Sequence, residues 1–317
     1  MRLSILVLAI WLVCLTRCAP AAASAPTSGG SPSVPIDNGR FVEIESIAAA
    51  GLPDQRVTIW LPPEYNVGSK RRFPVIYMQD GHNLFFADRA SYGKIWAADK
   101  AILSLVAQGK IEPHIIVGIW APGADRYRQY LPRIIFDNIG GAIRASMDSS
   151  LTGDVVSDRY VEWLSDELKP DIDRNYRTKK TPKDTAIAGS SMGGLISCYA
   201  FVKRPEVFGR AACVSAHWPA GDPRQTAQAS DELASLWTTF FAASLGKPER
   251  RKLWMDHGTA TLDQFYAPYQ IEIDKQFMAN GWIKGKDFDS RVFEGAEHDE
   301  NAWAARLPEI LAWTLAK

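Results

Sequence analysis

The stretch that most limits the fold of this chain is Thr185-Ala186-Ile187-Ala188-Gly189-Ser190-Ser191-Met192-Gly193-Gly194, followed by Leu195-Ile196-Ser197-Cys198-Tyr199-Ala200. A short β-type apolar run leads into a glycine-framed turn and then into a helix-forming segment. Only Ser191 has glycine at both −2 and +2. On a tight strand-to-helix corner, side chains at those two positions would collide with neighbouring backbone, and the residue between them is held in a strained conformation. The five-residue spacing alone is a weak signal, but the flanking strand and helix make it a specific one.

The rest of the chain alternates in the same way. Arg40–Ile47 and Gln55–Leu61 read as antiparallel strands, the second stopped by Pro62-Pro63. Phe73–Met78 and His114–Trp120 read as buried strands, with a helix over Lys94–Gln108 between them. A further helix is predicted over Asp158–Tyr176. After the glycine corner, strands over Ala211–Ala216, Lys252–Asp256 and Phe288–Phe293 alternate with helices over Asp231–Leu245, Asp263–Asn280 and Glu300–Ala316. Alternation of this kind predicts an α/β fold, a mostly parallel central sheet with antiparallel N-terminal strands and helices on both faces. Residues 137–157 show no clear period and read as an excursion near the strand ends, a lid or substrate loop.

The N-terminus reads as a leader. Met1-Arg2 supplies a positive start, Leu3–Leu15 an apolar stretch and Ala21-Ala22-Ala23 a small-residue cleavage site. The expected organisation is therefore a signal peptide over 1–23, a flexible lead-in over 24–39 and one catalytic domain over 40–317. No later stretch reaches the roughly 18 consecutive apolar residues of a membrane helix, so no stable membrane insertion is expected after leader removal. Lys+Arg and Asp+Glu both number 36. That balance gives no electrostatic case for a nucleic-acid partner. The exported chain would keep only Cys198 and Cys213, expected as buried thiols, and no Cys/His cluster has metal-ligand spacing. Neither a metal nor a cofactor is expected.

A serine hydroxyl needs a base within hydrogen-bond reach, and the base needs an orienting acid. Of the histidines downstream of Ser191, His298 lies between the last strand and the last helix, where such a base belongs. His217 follows the next strand and is expected as a pocket wall, and His257 as a turn residue. The acid follows the strand over Lys252–Asp256. Asp263 sits after a loop that lets its carboxylate reach back under His298, Asp256 at the strand end is the other candidate, and a pair without an effective acid is the third possibility. Backbone N–H groups of Met192 and of His82 (or Gly81) in Asp80-Gly81-His82 are candidate oxyanion donors. Trp96, Arg126, Arg128, His217 and Trp218 are candidate substrate contacts, with Trp303 a further stacking surface.

These stretches resemble the putative-esterase family of α/β-hydrolases, which includes enterobactin-type siderophore esterases, feruloyl esterases, S-formylglutathione hydrolase and the mycolyltransferases. The resemblance covers about residues 40–315. It rests on Val75-Ile76-Tyr77-Met78-Gln79-Asp80-Gly81-His82-Asn83-Leu84-Phe85, Trp96-Ala97-Ala98-Asp99, Arg126-Tyr127-Arg128-Gln129-Tyr130-Leu131-Pro132, Glu167-Leu168-Lys169-Pro170, Ala188–Gly194 and Glu297-His298-Asp299-Glu300. It implies Ser191 as nucleophile, His298 as base, and Met192 and His82 at the oxyanion positions. Many relatives place the acid directly after a Gly-Thr or Gly-Asn turn, whereas here Gly258 to Asp263 is longer. The implied activity is hydrolysis of a small-molecule or polysaccharide-linked ester, a siderophore lactone or a feruloyl or acetyl ester. Acyl transfer to an alcohol, and a binding protein without catalysis, are the alternatives.

Overall fold

In the computed structural model, residues 38–66, 70–226 and 230–316 are described. The leader over 1–23 and nearly all of the lead-in over 24–39 lie outside them. The strands are β1 (Arg40–Ile47), β2 (Gln55–Leu61), β3 (Val75–Met78), β4 (Ile115–Ile119), β5 (Thr185–Ser190), β6 (Arg210–Val214), β7 (Lys252–Gly258) and β8 (Phe288–Phe293). They form one sheet in the order β1-β2-β4-β3-β5-β6-β7-β8. Pairings β1–β2 and β2–β4 are antiparallel and all the others parallel. The expected fold class is the one observed.

The helices are α1 (Ala98–Ala107), α2 (Arg126–Tyr130), α3 (Arg133–Asn138), α4 (Gly141–Asp148), α5 (Ser157–Glu162) and α6 (Lys169–Asn175), then α7 (Met192–Lys203), α8 (Pro223–Thr226), α9 (Ser230–Ser244), α10 (Ala267–Ala279) and α11 (Glu300–Thr314). The central strands β3, β4 and β5 are buried along their whole length, as strands covered on both faces must be. Their period-2 alternation feeds two cores. Val75, Tyr77, Ile115, Val117 and Ile119 pack with residues of α5, α7, α9 and α10 on one face. Ile76, Met78 and Ile116 pack with α1 and α11 on the other. Cys198 and Cys213 are buried and unbridged.

Chain direction through the sheet reverses about β3: β4 is added on one side and β5 to β8 on the other. The carboxyl ends of β3 and β5 therefore flank a crevice, the usual position for a ligand site in an open α/β sheet. Several elements depart from their predicted bounds, each for a local reason. The helix expected from Lys94 begins at Ala98, because Trp96 N–H is bonded to Asn83 O and Ala97 is left-handed at φ 50°. The strand expected to run to Ala216 ends at Val214, where Ser215 turns to φ 40°. The helix expected over Asp158–Tyr176 is continuous from α5 to α6 but carries a π-segment at Trp163–Leu168, just before Pro170, which has no N–H to donate. The helix expected from Asp263 splits into a 3₁₀ turn, Thr261–Phe265, and α10, so Asp263 lies inside a turn instead of capping a helix. The excursion over 137–157 contains α4, which packs against α8.

Candidate active site

β5 delivers the chain to the corner. Ser190 ends the strand, Ser191 has φ 55° and ψ −126°, and α7 starts at Met192. The strained residue is held by its N–H bonding to Val214 O at 3.0 Å. The glycines are sterically required. A Cβ at Gly189 would lie 2.6 Å from the backbone of Gly193, and one at Gly193 would lie 2.7 Å from Asp80 Oδ2. The corner thus presents Ser191 at the mouth of the crevice and leaves Ser190 buried in the sheet.

His298 arrives on the loop between β8 and α11. Its Nε2 is 2.8 Å from Ser191 Oγ and its Nδ1 is 2.6 Å from Asp263 Oδ1. The main chain of His298 is fixed by donation to Thr261 Oγ1 at 2.7 Å, and the Trp303 ring meets its imidazole edge-on at 4.9 Å. Asp263 is fully buried, and its Oδ2 accepts from Ser215 Oγ and from Gly258 N–H, both at 2.6 Å. Burial pushes the Asp263 carboxyl up. The hydrogen bond and charge of His298, with the bonds from Ser215 and Gly258, outweigh burial and hold it below the usual carboxylate value. The two candidate acids are thereby distinguished by geometry. Asp256 instead pairs with Arg306 at 2.8 Å and accepts from Trp254 Nε1 at 2.7 Å and Ser215 N–H at 3.1 Å.

At the other wall, β3 ends at Met78, and Asp80, two residues on, is left-handed at φ 54°. Gly81 then presses against β4, where a Cβ would lie 2.5 Å from Gly118 C. This close approach brings the Gly81-His82 backbone to the same crevice as Met192, whose N–H opens α7 with no intrahelical acceptor. Burial lowers the His82 imidazole, opposed by Asp80 and reinforced by Arg126.

A cleft of about 320 Å³ lies over Ser191 and His298 and is lined by His82, Tyr92, Arg126, Glu300 and Trp303 among others. Arg126 is bound through two atoms to Asp80, Nε to Oδ1 at 2.7 Å and Nη2 to Oδ2 at 2.8 Å. Glu300 accepts from Asn83 Nδ2 at 3.2 Å, and burial raises its carboxyl. Lys94 pairs with Asp299 on the outer side. Tyr92, 90% exposed and left-handed at φ 59°, stands at the rim. A larger groove of about 660 Å³ lies at the opposite, N-terminal ends of β5 to β7, between Lys183, Leu245 and Arg251, and contains none of these residues.

The remaining candidates fall as follows. Arg126 lines the cleft. Arg128 pairs with Asp125 at 2.7 Å and is not among the cleft residues. Trp96 is buried against the Trp303 ring, centroids 5.9 Å apart, and Trp218 is buried in the core with its indole N–H on Gln270 Oε1 at 3.0 Å. His217 lies behind His298, with ring centroids 6.4 Å apart. It accepts from Tyr266 Oη at 2.6 Å and donates to Gly221 O at 2.9 Å, while burial and the charge of His298 push it down to about 4. His257 is buried and donates to Gly258 O at 2.6 Å. Sequence reasoning missed Ser215, Tyr266, Glu300 and Arg306. One signal was visible for Arg306: a charged residue on the apolar face of the last helix, beside Trp303, Leu307 and Ile310.

Comparison with known proteins agrees with this architecture. The sequence model of the family described as "Putative esterase" matches residues 53–314. "Uncharacterized protein YbbA" of Bacillus subtilis strain 168 is 26% identical over 276 residues, 83% of this chain and 94% of its own length. An endo-1,4-beta-xylanase/feruloyl esterase of Xylanibacter ruminicola is 30% identical over 177 residues, 55% of this chain but 21% of that larger protein. Among solved structures, the enterobactin esterase FES from Shigella flexneri superposes with a TM-score of 0.58 at 16% identity, covering 89% of this chain and 59% of that one. The chain belongs to the putative-esterase family, carboxylic ester hydrolases built on the α/β-hydrolase fold.

Proposed function

We propose that this esterase is a serine hydrolase in which Ser191, His298 and Asp263 act as nucleophile, base and acid. The supporting observation is the continuous hydrogen-bonded chain from Ser191 Oγ through both imidazole nitrogens to a fully buried carboxylate. Ser191 Oγ attacks the ester carbonyl carbon as His298 Nε2 takes its proton, and Asp263 stabilises the resulting imidazolium without itself being protonated. The tetrahedral oxyanion is held by the N–H of Met192 and that of His82 or Gly81. His298 then returns the proton to the leaving alkoxide, giving an acyl-enzyme. Water attacks this intermediate by the same steps in reverse.

The substrate reading is a neutral ester of the hydroxycinnamoyl or acetyl type carried by a carbohydrate. Two observations support it: the relationship to a xylanase/feruloyl esterase, and the charge of the cleft. Arg126 is already bound to Asp80, and Glu300 faces the site as a carboxylate with a hydrogen bond from Asn83 but no direct ion pair among the described residues. An anionic catecholate lactone placed there meets repulsion of about 1–3 kcal/mol, at an effective dielectric constant of ~20–40 and a separation of ~6–10 Å. The test compares kcat/KM for methyl ferulate, acetylated xylan and an anionic catecholate trilactone. The neutral esters should lead by about tenfold or more, and Glu300→Gln should shrink that ratio about tenfold. A trilactone turned over faster than either neutral ester refutes this substrate class.

The same reading includes export through the N-terminal segment, supported by Arg2, the apolar run Leu3–Leu15 and Ala21–Ala23. Among the described residues no helix is long and apolar enough to cross a membrane. Mass spectrometry of the protein recovered from its native cells should give an N-terminus after Ala23. An intact Met1 contradicts cleavage.

A further inference from the structure

Beneath the Asp263–His298 pair lies a second polar group that the chemistry above does not use. Asp256 of β7 and Arg306 of α11 form an ion pair at 2.8 Å, with side-chain exposures of 0% and 4%. Such a buried pair stabilises a fold little or not at all relative to apolar side chains of the same size, so its presence calls for another account.

The account lies in Ser215, which connects this pair to the site. Ser215 Oγ receives Trp303 Nε1 at 3.0 Å and Arg306 Nη2 at 2.7 Å, and lies 2.6 Å from Asp263 Oδ2. An indole N–H and a guanidinium can only donate, and a hydroxyl has two lone pairs and one proton. Both lone pairs are therefore taken, and the single proton can go only to Asp263. Asp256 fixes the other end. Its Oδ1 takes Arg306 Nη2 and the Ser215 N–H, and its Oδ2 takes Trp254 Nε1. It thus aims the guanidinium and pins the Ser215 main chain at φ 40°.

We propose that Ser215 is a positioning residue for ester hydrolysis, locked by Trp303 and the Asp256–Arg306 pair as a permanent donor to Asp263. This rests on Asp263 being the acid of the triad. With Oδ2 tied by Ser215 and Gly258, Oδ1 is left for His298, and the carboxylate stays ionised although fully buried. Asp256 in β7 and Asp263 in the turn after it are then both in use, one as the anchor of the support and one against the base. Other groups face the pair as well. His217 and Tyr266 face it from the loops after β6 and β7, and Asp299, paired with Lys94, from the outer side.

The test is the pH dependence of kcat/KM for wild type, Ser215→Ala, Ser215→Cys and the double variant Asp256→Leu/Arg306→Met, on one neutral ester. In Ser215→Ala, Asp263 loses a donor, becomes more basic and holds the protonated imidazole more tightly. The acid limb should move up by about half to one pH unit, and the plateau should fall about 10–100-fold with KM nearly unchanged. Ser215→Cys, which keeps a weaker donor, should lie between. The double variant removes the ion pair without leaving a lone buried charge, and should shift the limb in the same direction by a smaller amount. It carries the test if Ser215→Ala does not fold. An acid limb that coincides with wild type in either folded variant overturns the proposal, because a merely structural role would lower Tm and leave the limb in place. Ser191→Ala separates the two levels. Activity surviving in it overturns the triad reading, whereas an inactive Ser191→Ala with an unmoved limb at Ser215→Ala overturns only the role of Ser215.

Discussion

At the scale of single residues, different side chains should fail in different ways. Asp263→Asn keeps the shape of the site but cannot stabilise an imidazolium, so kcat should fall by about 10³–10⁴ with Tm little changed, as measured by ester turnover and calorimetry. Gly193→Ala should fail differently, since its Cβ would sit 2.7 Å from Asp80 Oδ2 and force the corner or the Asp80–Arg126 pair to move. Both Tm and activity should drop, and an alanine variant with wild-type values would contradict the steric argument. The Ser191 corner was legible because glycine spacing is local, and His298 was a candidate because its place between the last strand and the last helix can be read from chain order, although the two are 107 residues apart. The loop before Asp263 favoured it over Asp256, but what occupies Asp256 at the end of β7 was not legible. What separates them is Arg306, whose contact with Asp256 spans 50 residues of sequence. Ser215 stayed hidden for the same reason, its partners Trp303 and Arg306 being 88 and 91 residues away.

At the scale of elements, the site depends on two loops pressed together. The end of β7 and the loop that carries His298 approach so closely that a Cβ on Gly258 would lie 2.1 Å from Ala296 O. Gly258 N–H also donates to Asp263. Gly258→Ala should therefore separate base from acid, lowering kcat/KM at least tenfold and destabilising the fold by about 1–3 kcal/mol, read by turnover and by urea unfolding. Strands and helices were largely legible because period-2 and period-3.6 patterns report burial. Their ends were less so. The start of α1, the end of β6 and the 3₁₀ turn before α10 are all set by left-handed residues (Ala97, Ser215 and Thr261) that no glycine or proline announced. The helix α4 within 137–157 went unread because it is short and packs through few apolar residues, Ile143 and Met147.

At the scale of the whole molecule, the sheet order places the Ser191 corner beside the point where chain direction reverses; strand–helix alternation implied the parallel sheet but not this order. The fold also sets a pH dependence of stability. His114 and His217 are pushed down to about 4, His114 by burial against the opposing hydrogen bond to Glu112 O, and His217 by burial and the charge of His298. Each stays neutral in the folded protein until about 4 but takes up a proton near 6.5 once unfolded. Their contribution is therefore complete above the unfolded value and is lost as pH falls from 6.5 toward 4, by about 3 kcal/mol each at most. Asp263, held below its ordinary value, adds a further loss at still lower pH. Calorimetry across this window should show a steady fall in Tm, and His114→Asn should remove about half of its slope. A flat Tm from pH 6.5 to 4 would contradict the neutral assignment.

In the proposed mechanism Ser191 Oγ is the atom that bonds to substrate. The most direct measurement is intact-mass and peptide-mapping mass spectrometry after exposure to a fluorophosphonate, run on wild type and Ser191→Ala. Wild type should gain one phosphonyl group, mapped to Ser191, with parallel loss of p-nitrophenyl acetate hydrolysis, and Ser191→Ala should gain none. Label on another residue, or equal labelling of the alanine variant, would contradict the account.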